Sequence, residues 1–404
     1  MKSRFRFLTH RFNLRVPTSI KRFLILTKVL GTTILALTLV TAIVATPAIG
    51  TTFFFSTGNP DGKIATLSRV ASPGKIQTET ADDFVLTNCT VIDQATFIGL
   101  LPLGTPVSNV NDVEIEIYHV FPKDSVQPPS GNVPTRANSP GDVEIASATR
   151  DALDGSLSFS ATVLNANFTA ANSVVNGINK FPNQTTHGEG PVTGEEVLIS
   201  VTFNRPIALP PDHYFFRPEL LVNGGDFLWL SAPRPIIPPG TPFPAGNTDL
   251  QSWIRNDNLS PDWLRIGADI IGIIDGNPAP AFNATFSLTG ETDADCDGVG
   301  DSVDQCPDTP PGAIVNADGC SIDQLVPCSG PASGGTWKNH GQYVSSIAHT
   351  AESFVAQGLI TEEQKGAIVS AAARSNCGKN SKVGARRSVT ERAAPSGLKQ
   401  KSQR

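Results

Sequence analysis

From residue 51 to residue 290, apolar side chains recur at every second position. In "SLSFSATVL", Leu157, Phe159, Ala161 and Val163 share one face and hydroxyls fill the other. "EVLISVTF" does the same with Val197, Ile199, Val201 and Phe203, and "AFNATFSL" with Phe282, Ala284, Phe286 and Leu288. "DVEIEIY" sets Val113, Ile115 and Ile117 opposite Glu114 and Glu116. A period of two is the pattern of a strand buried on one face. "DDFVL", "TVIDQATFIGLL", "HYFFRPELLV", "DFLWLSAP" and "DWLRIGADIIG" bring the series to about ten strands, with no amphipathic helix between them. Sheets patterned this way must bury their apolar faces on one another. The expected fold is therefore mainly β, an antiparallel β-sandwich or jelly roll over residues 49–290.

Two Pro-rich stretches, "PKDSVQPPSGNVPTRANSPGD" and "SAPRPIIPPGTPFPAG", interrupt the strands. Proline removes ladder donors, so both read as long surface loops at the ends of the sandwich. Residues 1–48 are different. Eight basic residues and no acids lead into the apolar run "VLGTTILALTLVTAIVA", and small residues follow to Ala48. This is the composition of a secretory signal peptide, with an uncleaved membrane anchor as the alternative. The last 26 residues, 379–404, form a basic tail of +7 that reads as disordered. The whole chain carries −6, so the part between these two basic segments carries −21. Such an acidic body argues against nucleic-acid binding and suits a cation-binding exported protein, in the extracellular space or the cell envelope.

Six cysteines behind such a leader suggest disulfides. Cys306 with Cys320 and Cys328 with Cys377 bracket short segments, which leaves Cys89 with Cys296; an adjacent Cys296–Cys306 pair is the competing arrangement. Five of the six lie beyond residue 290, where the composition turns acidic and poor in apolar residues.

There, "DADCDGVGDSVD" places five aspartates in twelve residues. Counted from Asp293 as position one, Asp295 is three, Asp297 five, Gly298 six, Val299 seven, Asp301 nine and Asp304 twelve. A hard cation that takes six to eight oxygens needs this arrangement. Alternate carboxylates point inward, glycine allows the sharp turn, and the backbone carbonyl at position seven adds a ligand. The ion expected is Ca2+, held by Asp293, Asp295, Asp297, Val299, Asp301 and Asp304. "LTG" precedes the loop, and Pro307, Pro310 and Pro311 follow it, so the two flanking helices of an EF-hand are not expected.

The longer stretch "DADCDGVGDSVDQCPDTPPGAIVNADGC", Asp293 to Cys320, resembles a thrombospondin type 3 repeat, most closely the form found in bacterial cell-envelope proteins. The resemblance implies an aspartate-rich chain wound around calcium with little apolar core. It implies ligands at Asp293, Asp295, Asp297, Asp301 and Asp304. It covers 28 of 404 residues, as a single repeat, and Cys296 stands where the family usually has a small or polar residue. The calcium-binding repeat is assigned to residues 291–328.

Residues 329–378 read as a helical hairpin. Trp337, Gly341, Val344, Ala348, Ala351 and Val355 form a stripe, Gly358 is a C-cap, and Thr361 with Gln364 forms a capping box. "GGTWKNHGQYV" and the segment after it resemble a small C-terminal module of bacterial secreted proteins. "ADDFVL" followed by "ATFIGL" resembles the opening of β-sandwich domains in exported bacterial proteins. Neither resemblance carries an activity. His340 and His349 read as surface or capping residues.

Catalysis finds little support. Glu114, Glu116, Glu195, Glu196, Asp82 and Asp83 include the carboxylates a glycoside hydrolase would need, but alternation puts the glutamates on a solvated face. No GxSxG elbow, HExxH or phosphate-binding glycine loop occurs. The function expected is that of a non-enzymatic, calcium-binding structural or adhesion protein, with cell-surface polysaccharide or an envelope protein as partner. The alternative is a carbohydrate-binding module in which Trp229, Trp253 and Trp263 stack on sugars; core packing is the competing role for these tryptophans.

Overall fold

The structure, a computed structural model, describes residues 50–124, 133–178 and 185–379. The expected signal segment and the residues beyond Lys379 lie outside the described residues, as does part of the first Pro-rich stretch.

The fold is mainly β, with two sheets and few helices. The larger sheet contains Thr52–Ser56, Ile64–Leu67, Thr90–Leu101, Leu157–Ala170, Asn172–Val174, Val192–Leu209, Leu228–Ala232, Asn283–Ala284 and Phe286–Thr292. The six-stranded sheet runs in the order Leu264–Arg265, Trp253–Asn256, Thr78–Leu86, Asp212–Val222, Val110–His119, Arg150–Asp151. All pairings between these strands are antiparallel except Ile64–Leu67 with Asn172–Val174.

The alternating residues do what their period implies. Val197, Ile199, Val201 and Phe203 join Val113, Ile115, Ile117, Phe286 and Leu288 in one apolar cluster shared by the two sheets. Phe216 stacks on Phe286 across it, with ring centroids 5.0 Å apart. From Leu157, 2% exposed, to Val163, 43% exposed, burial fades, and it returns at Ala170.

The other face of the six-stranded sheet departs from expectation. Glu114 and Glu116 do not face open solvent. On that face Trp253, Ala81, Tyr118 and Phe215 of the sheet pack with Leu250 and Trp263 from outside it. Buried there, Arg217 is in ion-pair contact with Glu79, Glu114, Glu116 and Glu219. Arg255 pairs with Glu79 and lies 4.3 Å from the Trp263 ring centroid. Charges this far from water persist only when paired.

Three further expectations are corrected. "DWLRIGADIIG" is a strand only at Leu264–Arg265, after which Ile266–Ile271 forms one π-helical stretch. Asp269 drives this turn by accepting from the Arg265 amide at 2.8 Å and from its side chain. The second Pro-rich loop is not merely surface decoration: Ile236 is buried in the core, and Phe243 packs edge-on against Phe55 at 5.6 Å. Finally, the helix His340–Ala356 buries Tyr343, Ile347, Ala351 and Phe354, one face over from the expected stripe. Trp337 precedes the helix and packs against Tyr343. The larger side chains at 343, 347 and 354 bury more apolar area and so set the face.

The next helix, Glu362–Arg374, begins with the expected Thr361–Gln364 capping box, and Gly358 (φ +73°) ends the preceding one. Both ring nitrogens of His340 face carbonyls near the end of this helix, Cys377 O at 2.7 Å and Ala373 O at 3.0 Å. Cys89–Cys296, Cys306–Cys320 and Cys328–Cys377 are the three disulfides. No helix among the described residues is long and apolar enough to cross a membrane.

Candidate metal centre

The aspartate loop grows out of the end of strand Phe286–Thr292. Three contacts anchor its start. The Thr292 amide donates to Thr51 O (3.1 Å), the Asp293 amide donates to Cys89 O (3.0 Å), and Cys296 is bonded to Cys89. From this fixed edge the chain turns sharply at Gly298, whose φ of +94° is one that glycine adopts freely.

The turn directs side chains inward. Asp293 is buried, and its carboxylate accepts from the amides of Asp297 (3.3 Å) and Gly298 (2.8 Å). Asp297 Oδ1 accepts from the Val299 amide at 2.8 Å, and Asp295 Oδ2 accepts from the Thr309 amide at 2.6 Å. One ligand oxygen from each of Asp293, Asp295 and Asp297 lies within 4.8 Å of the others. Two oxygens in this group, Asp295 Oδ1 and Asp297 Oδ2, are buried with no hydrogen-bond partner in the protein. Oxygens without donors, among like charges, fit a bound cation and are costly without one.

The electrostatics carry the same message. Burial, with the Asp297 charge beside it, pushes the Asp293 carboxyl up to about 6. Burial also raises Asp297, with Asp295 and Asp304 adding repulsion. Asp304 is raised by burial and by Asp295 and Asp301. A divalent ion would reverse each of these effects.

The remaining expected ligands differ in placement. Asp304 sits at the rim of the triad, its Oδ1 accepting from the Cys306 amide at 2.7 Å. Val299 contributes its amide to Asp297. Asp301 is engaged elsewhere. Its Oδ1 accepts from the Ala294 amide (2.7 Å) and its Oδ2 from the Thr292 hydroxyl (2.6 Å), so it ties the loop back to the strand.

Two residues that the spacing did not reveal complete the enclosure. The buried Thr309 donates its amide to Asp295 and is set by the Cys306–Cys320 disulfide on either side of it. Gly319 lies against the carboxylates. A Cβ there would fall 2.1 Å from Asp304 Oδ1 and 3.3 Å from Asp297 Oδ2. The Asp318–Gly319 pair was the available sequence signal, but it reads as an ordinary turn.

Of the candidate catalytic carboxylates, Glu114 and Glu116 surround Arg217 together with Glu219, which the alternation did not single out. Burial raises Glu219 well above its ordinary range and Glu114 to about 7. Arg217, 1% exposed, fills the centre between them. Asp82 and Asp83, adjacent on strand Thr78–Leu86, are both buried; burial raises both carboxyls, with Asp249 adding repulsion to each, and the segment that carries Asp249 donates to both, from Ser252 Oγ to Asp82 (3.1 Å) and from the Leu250 amide to Asp83 (2.9 Å). Trp229, Trp253 and Trp263 are all at most 1% exposed, so none offers a surface to a sugar; core packing is their role.

No protein-family model matches this chain, and no curated protein or solved structure matches it significantly.

Proposed function

We propose that this chain is an exported, calcium-binding structural or adhesion-type protein of the cell envelope or extracellular space. In this reading a β-sandwich is followed by a thrombospondin type 3-like repeat and a helical hairpin. Calcium holds the repeat in shape at the sandwich edge. The observation that carries it is the convergence of Asp293, Asp295 and Asp297 with two buried oxygens lacking partners. Three disulfides support an oxidising, extracytoplasmic compartment. The role is non-enzymatic, and the sandwich meets a polysaccharide or another envelope protein through its surface. Ca2+ would be held by the triad, with Asp304 and the Val299 carbonyl at its margin and Asp301 bracing the loop from behind.

Calorimetric calcium titration, run beside an Asp295→Ala/Asp297→Ala double variant, tests this. One saturable site in the wild type, absent from the variant, is expected. No binding up to about 10 mM, above the usual range of extracellular sites, would overturn it.

A further inference from the structure

The strand Leu157–Ala170 forms one edge of the larger sheet. It pairs on one side with Val192–Phe203, and among the described residues no strand pairs with its other side. It is 14 residues long and contains neither a charged residue nor a proline. Open edges in natural proteins are usually kept short or guarded by charge, proline or a bulge, because they template pairing with another chain. Here the first seven residues, Leu157–Val163, run in unbroken register, and the two register shifts fall only after Val163. Phe159 and Ala161 on the core-facing side stay half-buried, and Val163 is 43% exposed.

We infer that this edge is the contact between two copies of the chain, paired antiparallel about a two-fold axis at Ser160. The pattern is complementary to itself. With Ser160 opposite Ser160 of a second copy, Leu157 meets Val163 and Phe159 meets Ala161 on one face, and Ser158 meets Thr162 on the other. Apolar residues thus meet apolar ones and hydroxyls meet hydroxyls, with no charge to repel its own image. The apolar side chains left partly exposed in one copy are covered by those of the other. Such an isologous contact closes on itself and joins the two large sheets into one.

The test uses the full chain with its disulfides formed. Sedimentation equilibrium is run over a series reaching about 100 μM, where contacts of moderate affinity are visible. A dimer is expected. Ser160→Lys, an exposed substitution, sets two like charges against each other and should weaken the dimer by about two- to fivefold while circular dichroism stays unchanged. Ser160→Cys should cross-link under mild oxidation, since directly opposed Cβ atoms lie about 4.5–5.5 Å apart. Thr162→Cys should not, because its two copies would be roughly 13 Å apart along the strands. A monomer throughout, or a dimer indifferent to Ser160→Lys, would overturn the inference. Cross-linking through Thr162→Cys but not Ser160→Cys would overturn the register.

Discussion

Single residues here carry their weight through what they exclude or neutralise. Gly319 is required twice over, by its φ of +76° and by the carboxylates that a Cβ would strike. Gly319→Ala should cost about 1–2 kcal/mol in urea unfolding and, on the proposed reading, weaken calcium binding as Asp304 is pushed aside. Arg217 neutralises. Burial raises Glu79, but Arg255 and Arg217 outweigh it and hold that carboxyl below its ordinary value. Arg217→Met leaves Glu116 and Glu219 buried without this cation and Glu79 with Arg255 alone, and a loss of about 3–5 kcal/mol is expected. Asp112 responds to pH instead. Burial and the neighbouring Asp151 raise it from 3.8 to about 6, so the folded state holds this proton more tightly than the unfolded chain. Its contribution is complete below about pH 4 and is lost as pH rises through about 6. Urea midpoints measured from about pH 4 to about pH 7 should fall more steeply in the wild type than in Asp112→Asn.

At the scale of elements, the period-two pattern was readable because it reports what one face of one strand touches. It placed Val197, Ile199, Val201 and Phe203 inward, and all four are at most 3% exposed. It could not report what lies over the second face. Glu116 reads as solvated because Trp253 and Trp263, which pack on that face of its sheet, stand more than 130 residues away. Likewise the aspartate spacing gave Asp293, Asp295 and Asp297 together. The engagement of Asp301 with Thr292 depends on where the preceding strand stops, which spacing does not encode. Caps are the opposite case, because their whole geometry is local. Thr361 and Gln364 were legible four residues at a time, and they exchange the expected hydrogen bonds at 3.2 and 2.7 Å. Thr361→Ala should cost about 1 kcal/mol. Hydrogen exchange should show the loss confined to the first turn of Glu362–Arg374, because the Cys328–Cys377 bond still closes the segment around both helices.

For the whole molecule, the question is how much a single ion can contribute when a covalent bond holds the same segment. Cys89–Cys296 joins residues 207 positions apart and fixes the loop to the start of strand Thr90–Leu101 with or without calcium. The proposed ion would therefore have only the interior of the loop to order: the repulsion among Asp293, Asp295 and Asp297 and the two oxygens without donors. With a dissociation constant of about 10⁻⁴–10⁻³ M and about 1 mM calcium, mass action gives about 0.4–1.4 kcal/mol. For a chain of this size that is roughly half a degree to two degrees in Tm. Scanning calorimetry with calcium and with chelator should show a shift of this order, and none in the Asp295→Ala/Asp297→Ala variant. The same comparison in Cys89→Ser/Cys296→Ser separates the two restraints. Without the bond, calcium would also have to order the loop against the adjoining sheet, so its apparent affinity should fall and the chelated protein should lose protection from protease around residue 296. Equal calcium affinity with and without the bond would mean that the loop is already ordered by its backbone contacts to Thr51 and Cys89 alone.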